Sequence, residues 1–286
     1  MPELPEVETV KRGLEKEIVN RAISSVKVLH PRATRRHLAG KQDFIRQLIG
    51  QQITSIERRG KFLWIPFDDR ALIIHLGMSG QCLVKVNQER LKHERIRFEF
   101  ADENFYLLFV DQRTFGGMQI DELVTDRNGK NVPKSVAHIA LDPFDSSFDL
   151  EITALRLRKR HSEVKRALLD QTLISGIGNI YADEALWLSK IHPRKPAHLL
   201  SKMQAFSLLN SAKKVMQAAI EQGGTSFDSQ YLNVNGESGY FSVSLNVYGR
   251  SGEPCLRCAR PISREKFMTR SSHLCPRCQR PPRSTN

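Results

Sequence analysis

Four cysteines near the C-terminus constrain the fold of this chain more than any other feature of its sequence. They form two Cys-x2-Cys pairs, Cys255 with Cys258 and Cys275 with Cys278, separated by sixteen residues. Each pair can occupy a tight turn, and two such turns supply four thiolates in the tetrahedral arrangement that zinc prefers. Disulfide bonds are the alternative, which a cytoplasmic location disfavours. Because four protein ligands leave no open position on the metal, the spacing predicts one structural Zn²⁺ ion.

The net charge of the chain points to a polyanionic partner. The chain carries 44 Lys and Arg against 31 Asp and Glu, a formal net charge of +13. Residues 244–286 contain nine of the basic residues and two acidic ones, a net +7 in this one module. Nucleic acid is the leading candidate for the partner, and an ordinary solvated surface is the alternative. No apolar run approaches the ~20 residues of a membrane span and no signal peptide is evident, so we expect a soluble, cytoplasmic protein.

The hydrophobic pattern predicts an α+β multidomain protein. Apolar runs and alternations of five to eight residues, bounded by Gly, Asp and Asn, indicate an antiparallel sandwich in the first part of the chain. After a polar stretch the period changes to that of amphipathic helices. The predicted order is an N-terminal β-sandwich domain with flanking helices (1–133), a linker (134–150), a helical domain (151–224), a polar loop (225–243) and the cysteine-containing module (244–286).

The first residues of the chain suggest a specific chemistry. The apolar spacing of residues 7–18 predicts a helix that begins just after Glu3 and holds the N-terminus still. Removal of the initiator methionine would expose the nitrogen of Pro2 as a secondary amine, with a reference pKa of ~7.7–8.0. Such an amine can attack C1′ of a sugar, and the resulting iminium permits elimination of the 3′ phosphate. Glu3 beside it is a natural proton carrier, and a frayed terminus is the alternative.

Three internal segments carry weaker signals. Asn179 ends the glycine-rich stretch "SGIGN" and is the predicted N-cap of a helix that begins at Ile180, where backbone N–H groups can bind a phosphate. An ordinary corner between two helices is the alternative. Arg113 and Phe115, two residues apart at a strand end, could enter a groove and wedge between bases, although a core phenylalanine is the alternative. Lys61, taken alone, is typical of a surface lysine.

Six features occur together in an order that is typical of one family. They are "PELPEVE" at the N-terminus, "GKFLW", "HLGMSG", "RTFGG", "LLDQTLISGIGNIYADEALW" and the four-cysteine ribbon. Over essentially the whole chain they resemble bacterial formamidopyrimidine-DNA glycosylases (Fpg), of the Fpg/endonuclease VIII family. The resemblance implies that residues 151–224 form a helix–two-turn–helix domain, that 225–243 form a lesion-recognition loop and that 244–286 form a zinc ribbon.

The same resemblance implies an enzyme of base excision repair. It would be a bifunctional DNA glycosylase/AP lyase that excises oxidised purines, namely 8-oxoguanine and formamidopyrimidines. The reaction would pass through a Schiff base on Pro2 and end in β,δ-elimination. Its partner would be damaged double-stranded DNA, and it would act as a monomer without an obligatory protein partner.

Individual roles also follow from the resemblance. Pro2 matches the Schiff-base nucleophile and Glu3 the acid/base that assists base loss. Lys61 matches the lysine that contacts the damaged nucleotide and serves β-elimination, and Arg270 matches the ribbon arginine that grips phosphate and serves δ-elimination. Residues 225–239, beginning with Thr225 and Ser226, match the lid over the extruded base. The DNA-contacting positions are His75, Met78, His93, Arg113, Phe115, Arg160 and Asn179, among which Met78, Arg113 and Phe115 match the triad that fills the hole left by the flipped base.

The chain departs from the family pattern at four places. Thr114 stands where a second arginine is usual, and Arg95 where a histidine is common. Ala259 replaces a glycine, and Ser271–Ser272 replaces a Gly–Thr pair. None of these changes removes a catalytic group, but they leave lesion preference and DNA affinity open.

Two rival functions remain possible from the sequence. One is an endonuclease VIII-type enzyme for oxidised pyrimidines, which the long loop and the Met–Arg–Phe triad disfavour. The other is a non-catalytic zinc-ribbon DNA-binding protein. The joint presence of Pro2, Glu3, Lys61 and Arg270 disfavours that second rival.

Overall fold

A computed structural model describes residues 2–86, 89–102, 104–224 and 245–282. The chain forms two compact units, one of residues 1–138 with 222–240 and one of residues 139–221 with 241–286. The predicted lesion loop, including Thr225 and Ser226, lies outside the described residues. Among the described residues, none of the helices has the length and apolar character needed to cross a membrane.

The first unit begins with helix α1 (Leu4–Ile18). A capping box starts this helix, in which the side chains of Glu3 and Glu6 each accept from the backbone N–H of the other residue. Pro5 lies in the first turn, where its missing N–H costs nothing. The predicted apolar face is buried, with Leu14 and Ile18 fully covered. Helix α1 therefore holds the N-terminal residues still, as the sequence predicted.

Two antiparallel sheets form the body of this unit. One has the order β1-β6-β7-β5 and the other the order β2-β3-β4-β8-β9. A short 3-10 helix, Pro31–Thr34, and helix α2, Lys41–Leu48, connect the first two strands. The strands are β1 (Ile23–Val28), β2 (Glu57–Arg59), β3 (Phe62–Phe67), β4 (Arg70–His75), β5 (Gly80–Lys85), β6 (Glu94–Phe100), β7 (Tyr106–Asp111), β8 (Gly117–Thr125) and β9 (Asn131–Pro133).

One hydrophobic core joins the two sheets. Phe98 and Phe109 of the first sheet pack in the same buried cluster as Leu63 and Ile74 of the second, together with the apolar face of α1. This packing confirms the predicted β-sandwich with flanking helices. The sequence predicts strands in "ISSVKVL", "QITSIERRGKFLWIPF", "ALIIHLG", "RIRFEF" and "NFYLLFV", which cover β1, β2, β3, β4, β6 and β7. Strands β5, β8 and β9 were not predicted.

The second unit is helical and ends in a β-hairpin. Its helices are α3 (Leu150–Arg158), α4 (Val164–Leu168), α5 (Asn179–Leu188) and α6 (Lys202–Glu221), and its hairpin consists of β10 (Ser263–Phe267) and β11 (Arg270–Leu274). Helix α6 stops before Gly223 and Gly224, whose φ angles of 79° and 90° suit glycine and end the helix. Trp187 of α5 shares a buried cluster with Cys255 and Cys275. The α+β multidomain class is confirmed.

Candidate active site and nucleic-acid interface

The N-terminal pair is buried and held by hydrogen bonds. Pro2 is buried, and Glu3 is 3% exposed. The Glu3 N–H donates to Oε2 of Glu6 over 2.8 Å. An ideal Cβ on Gly224 would lie 3.4 Å from Cα and Cγ of Glu6. Gly224, the last described residue before the loop, therefore packs directly on the first turn of α1. The root of the predicted lesion loop thus lies beside the proposed nucleophile.

An ion pair fixes the turn that carries Lys61 relative to α1. Arg58 Nε donates to Oε2 of Glu8 over 2.8 Å, and Nη1 of the same arginine donates to the carbonyl of Gly60 over 3.1 Å. Burial opposes ionisation of Glu8, but Arg58 and Arg12 outweigh it and lower the pKa of that carboxyl. Because Gly60 has φ +55°, the chain reverses tightly between β2 and β3. Lys61 is therefore placed by the same helix that carries Pro2 and Glu3.

His75 lies in a strongly cationic environment at the end of β4. Burial and the nearby charges of Arg36, Arg35 and Lys61 lower its pKa from 6.5 to about 4, so the ring is neutral at pH 7. Its Nδ1 accepts the N–H of Gly77 over 3.2 Å, which leaves the proton on Nε2. A neutral donor among three cations is suited to an anionic ligand such as a phosphate.

Two turns that carry the predicted wedge triad pack back to back. An ideal Cβ on Gly77 would lie 2.3 Å from the Gly116 nitrogen, so only glycine allows this approach. Met78 on one turn and Phe115 on the other remain 40% and 47% exposed. Their side chains are therefore accessible from solvent on two adjacent turns. The structure therefore brings Met78, Arg113 and Phe115 to one edge of the sandwich.

Asp111 holds the second of these turns from inside. Its carboxylate is fully buried and accepts the Ser79 hydroxyl over 2.6 Å. The same carboxylate accepts the N–H groups of Arg113 over 3.2 Å and Gly116 over 2.7 Å. This network fixes the backbone on both sides of Thr114, which has the left-handed φ of +54° that β-branched residues rarely adopt.

The substituted residue Arg95 supports the neighbouring DNA-contact candidate. Arg95 Nε donates to the carbonyl of Asp111 over 2.8 Å, and Nη2 lies 3.4 Å from Nδ1 of His93. The Asp111 N–H in turn donates to the carbonyl of His93 over 3.0 Å. Arg95 thus packs between His93 and the end of β7, a structural role that the sequence did not indicate.

In the second unit, Asn179 and the Arg270 hairpin are directly linked. The Asn179 amide donates to the carbonyl of Ser271 over 3.0 Å. Its Oδ1 is buried and has no hydrogen-bond partner, which leaves an acceptor free at the first turn of α5. Arg270, at the start of β11, is exposed. Helix α5 begins at Asn179 with Gly178 as its N-cap, one residue before the predicted start.

A buried ionic cluster anchors the hairpin to the helices. Lys165 Nζ lies 2.7 Å from Oδ1 of Asp183, and it also donates to the carbonyl of Ser271 over 3.1 Å. Asp183 accepts the Ser272 hydroxyl over 2.9 Å and the N–H of His273 over 2.8 Å. The substituted Ser271–Ser272 pair is therefore fully accommodated.

A second buried carboxylate anchors the chain that follows the undescribed loop. Glu184 is 1% exposed and accepts the backbone N–H groups of Asn246, Val247 and Tyr248 over 2.8 to 3.0 Å. The Asn246 amide donates to the same carboxylate over 2.8 Å. The start of the ribbon is thereby fixed on α5.

Arg160 is already engaged within the protein. Its Nη2 lies 2.9 Å from Oδ2 of Asp170, and both side chains are partly exposed. The guanidinium therefore keeps donors available on its outer side, and its predicted DNA contact remains a prediction.

The four ribbon cysteines fit one zinc ion. Their Sγ atoms lie within 4.8 Å of one another, with 3.5 Å between Cys258 and Cys275 and 3.6 Å between Cys278 and Cys258. A tetrahedron of Zn–S bonds of ~2.3 Å has edges of ~3.8 Å. Burial and the neighbouring thiols raise the pKa of Cys278 to about 12, so a cation is needed to hold all four as thiolates. Trp187 Nε1 donates to Sγ of Cys255 over 3.4 Å and orients that ligand.

Three family models cover most of the chain. Residues 1–118 match the formamidopyrimidine-DNA glycosylase N-terminal domain, residues 139–230 match the H2TH domain of the same enzyme, and residues 252–281 match a zinc finger found in FPG and IleRS. A formamidopyrimidine-DNA glycosylase of Rhodococcus erythropolis is 56% identical over 289 residues, covering 99% of each chain. The chain belongs to the formamidopyrimidine-DNA glycosylase family. The enzyme class predicted from its motifs, a DNA glycosylase of base excision repair, is thereby confirmed, and with it the zinc ribbon.

Solved structures of FPG proteins share the fold. A Lactococcus lactis FPG mutant in complex with a Fapy-dG containing DNA matches with a TM-score of 0.85 at 36% identity, covering 98% of this chain and 100% of that one. Lactococcus lactis Fpg in complex with an abasic-site containing DNA matches with a TM-score of 0.84 at 36% identity and the same coverage. The solved structures therefore indicate the same family as the sequence comparisons.

Several buried charged residues that support the candidate site were not identified from the sequence. Asp111, Lys165, Asp183 and Glu184 are buried and charged, and each accepts or donates several hydrogen bonds. The sequence offered one signal, because charged residues rarely occur within apolar helical or strand segments unless they are paired. Asp183 and Glu184 in "YADEALW" fit that description.

Proposed function

We propose that this DNA glycosylase excises oxidised purines and cleaves the resulting abasic strand, with Pro2 as the nucleophile. After loss of Met1, the unprotonated Pro2 nitrogen attacks C1′ of the damaged nucleotide. The C1′–N bond to the base breaks, the sugar ring opens, and an iminium joins Pro2 to C1′. The iminium withdraws electrons and acidifies the C2′ proton, so the 3′ phosphate leaves and then the 5′ phosphate. The single observation that carries the proposal is the burial of Pro2 at the capped start of α1.

Glu3 and Lys61 would serve the proton transfers. The Glu3 carboxyl is almost fully buried beside Pro2, and its backbone is fixed by Glu6, so its position varies little during the reaction. Lys61 follows the turn that Arg58 ties to α1, and its charge acts on His75. We assign Glu3 to assist base loss and Lys61 to contact the damaged nucleotide and serve β-elimination.

Each unit contains candidate phosphate contacts. In the first unit His75 offers an Nε2–H donor in a cationic setting, and His93 matches a DNA-contacting position of the family. In the second unit Asn179, Arg160 and Arg270 match DNA-contacting positions of the family. Arg270 would grip a phosphate and serve δ-elimination.

The wedge triad would replace the flipped base in the duplex. Met78 and Phe115 are exposed on two turns that Gly77 and Gly116 bring together. Inserting apolar side chains between bases offsets the loss of stacking when a nucleotide leaves the duplex. Arg113 would fill this space together with them.

The zinc ion would have a structural role only. The ion, bound by the four cysteines, provides the crosslinks that a module of ~40 residues needs to fold. Its ribbon carries Arg270, and the ion has no place in the proton transfers. We further propose that the enzyme works as a monomer in the bacterial cytoplasm.

Borohydride trapping tests this function directly. Duplexes that contain 8-oxoguanine, a formamidopyrimidine, an oxidised pyrimidine or no lesion are incubated with the protein and NaBH₄, which reduces the iminium to a stable amine. We expect covalent complexes with both oxidised purines and strand cleavage without borohydride. Peptide mapping should place the adduct on Pro2. Trapping restricted to the oxidised pyrimidine would assign the chain to the endonuclease VIII type instead, and DNA binding without any trapping would leave only a binding protein.

A further inference from the structure

Arg35 contacts the backbone of the turn that presents Arg113 and Phe115, here called the wedge loop (Arg113–Gly116). Its Nη1 donates to the carbonyls of Thr114 over 3.0 Å and Gly116 over 3.2 Å, and its Nη2 donates to the carbonyl of Phe115 over 2.9 Å. Three consecutive carbonyls therefore face one guanidinium. Nothing in the sequence or in the family resemblance assigns a role to this residue.

A hydrogen bond within its own segment of the chain also holds Arg35. Its Nη1 also lies 2.8 Å from the carbonyl of Arg32, within the 3-10 helix Pro31–Thr34. That helix packs on the strand after the wedge loop, since an ideal Cβ on Gly117 would lie 2.6 Å from the carbonyl oxygen of Ala33. The guanidinium thus joins a rigid helical turn to the wedge loop.

Asp111 and Arg35, which carry opposite charges, bind the backbone polar groups of the wedge loop from its two sides. Asp111 takes the N–H groups of Arg113 and Gly116 from the buried side. Arg35 takes the carbonyls from the exposed side. The left-handed φ of +54° at Thr114 turns these carbonyls together, a conformation that persists only when surrounding contacts enforce it. Asp111 supplies the contacts to the N–H groups, and Arg35 supplies the contacts to the carbonyls.

We propose that Arg35 is a positioning residue that holds the wedge loop in the shape needed to fill the space left by a flipped base. This inference rests on the proposed function. Arg35 acts through Arg113 and Phe115, because its Nη1 and Nη2 groups donate to the carbonyls of the wedge loop, and its charge also lies near His75. Its effect is therefore confined to duplex substrates, in which a base must be displaced.

The first experiment compares a duplex with a single strand. In Arg35→Met, excision of 8-oxoguanine from duplex DNA should slow at least tenfold, mainly in kcat, while borohydride trapping on a single-stranded abasic oligonucleotide stays within twofold of wild type. Arg46→Met removes the same charge from a side chain that is 79% exposed in the same unit, and it should match wild type on both substrates. An equal loss on both substrates, or wild-type excision from the duplex, overturns the proposal.

The second experiment separates positioning from phosphate binding. Arg35→Lys keeps the charge but lacks the planar fork that spans three carbonyls, so it should remain as slow as Arg35→Met. In addition, Arg35→Lys should leave the salt dependence of duplex binding unchanged, because it keeps the charge near His75, whereas loss of a phosphate contact lowers the log–log slope by about one. Recovery of excision in Arg35→Lys would show that the charge alone is sufficient and would refute the proposal.

The third experiment tests action through the wedge. Phe115→Ala removes the inserted ring but keeps the carbonyl that Arg35 binds. If Arg35 acts through this loop, the excision rate of the Arg35→Met/Phe115→Ala double variant should lie within twofold of the rate of Phe115→Ala. Additive losses in the double variant would contradict the proposal. A wild-type protein that traps neither duplex nor single-stranded abasic DNA would refute the proposed function itself, which is a separate outcome.

Discussion

Lys165 and Asp183 form an ion pair of 2.7 Å in the interior of the second unit, with side chains 0% and 1% exposed. Both partners also bind the β11 hairpin, through Ser271, Ser272 and His273. A buried charge without its partner is costly, so the pair makes the position of Arg270 depend on two residues in the interior of the unit.

Asp183→Asn should destabilise the protein and displace the hairpin. Removing one partner of a buried pair costs about 3–5 kcal/mol. Denaturant unfolding measures that loss, and DNA binding should fall with it because Arg270 loses its support. Glu151→Gln is the matched control, since Glu151 pairs with Lys202 on the surface at 3.0 Å, where an ion pair contributes about 0.2–1 kcal/mol. Equal effects of the two variants would show that the buried pair has no special role.

Removal of zinc should unfold the ribbon and weaken DNA binding. The four thiols crowd within 4.8 Å, and without a cation they cannot all be thiolates. Cys258→Ala, or treatment with a strong chelator, should therefore abolish the tight binding of lesion DNA. Cys82→Ala is the control, because that buried cysteine lies in the sandwich, far along the chain from the ribbon. Wild-type affinity in Cys258→Ala would disprove this prediction.

Retention of Met1 should abolish covalent chemistry but spare binding. The Pro2 nitrogen becomes an amide, which is not basic and cannot form an iminium. Such a protein should still bind lesion DNA and should neither cut it nor be trapped by borohydride. Lys61→Ala should behave differently, acting poorly on 8-oxoguanine while its Pro2 amine still attacks an abasic site. Robust trapping by a protein with verified Met1 would make Lys61 the candidate nucleophile.

His75 should make the free protein less stable in acid. Its pKa is lowered from 6.5 to about 4, first by burial and then by Arg36, Arg35 and Lys61. The folded state therefore prefers the neutral ring, and the stabilisation present above pH 6.5 is lost as the pH falls toward 4. The shift corresponds to at most about 3 kcal/mol. The difference in unfolding free energy between wild type and His75→Gln should shrink over this window, and a constant difference would argue against it.

The sequence predicted the fold class and the zinc ligands because both follow from local patterns. Alternating apolar residues, helical periodicity and the spacing of the cysteines can each be recognised within a short stretch of the sequence. The residues that shape the site follow from tertiary structure. Arg35 lies about eighty positions from Phe115, and nothing in "RATRRHLAG" indicates that its guanidinium meets three carbonyls. Asp111 likewise gains its role only when β5 and β7 pair and bring Ser79 beside it.

The two anchors that flank residues 225–244 have a consequence for how this family can diverge. Before the segment, Gly224 packs on Glu6, and after it the carboxylate of Glu184 binds three successive backbone N–H groups. Because each anchor belongs to its own unit, neither depends on the composition or length of what lies between them. We therefore expect the family to tolerate changes of sequence within this segment while the first turn of α1 and the ribbon keep their structure.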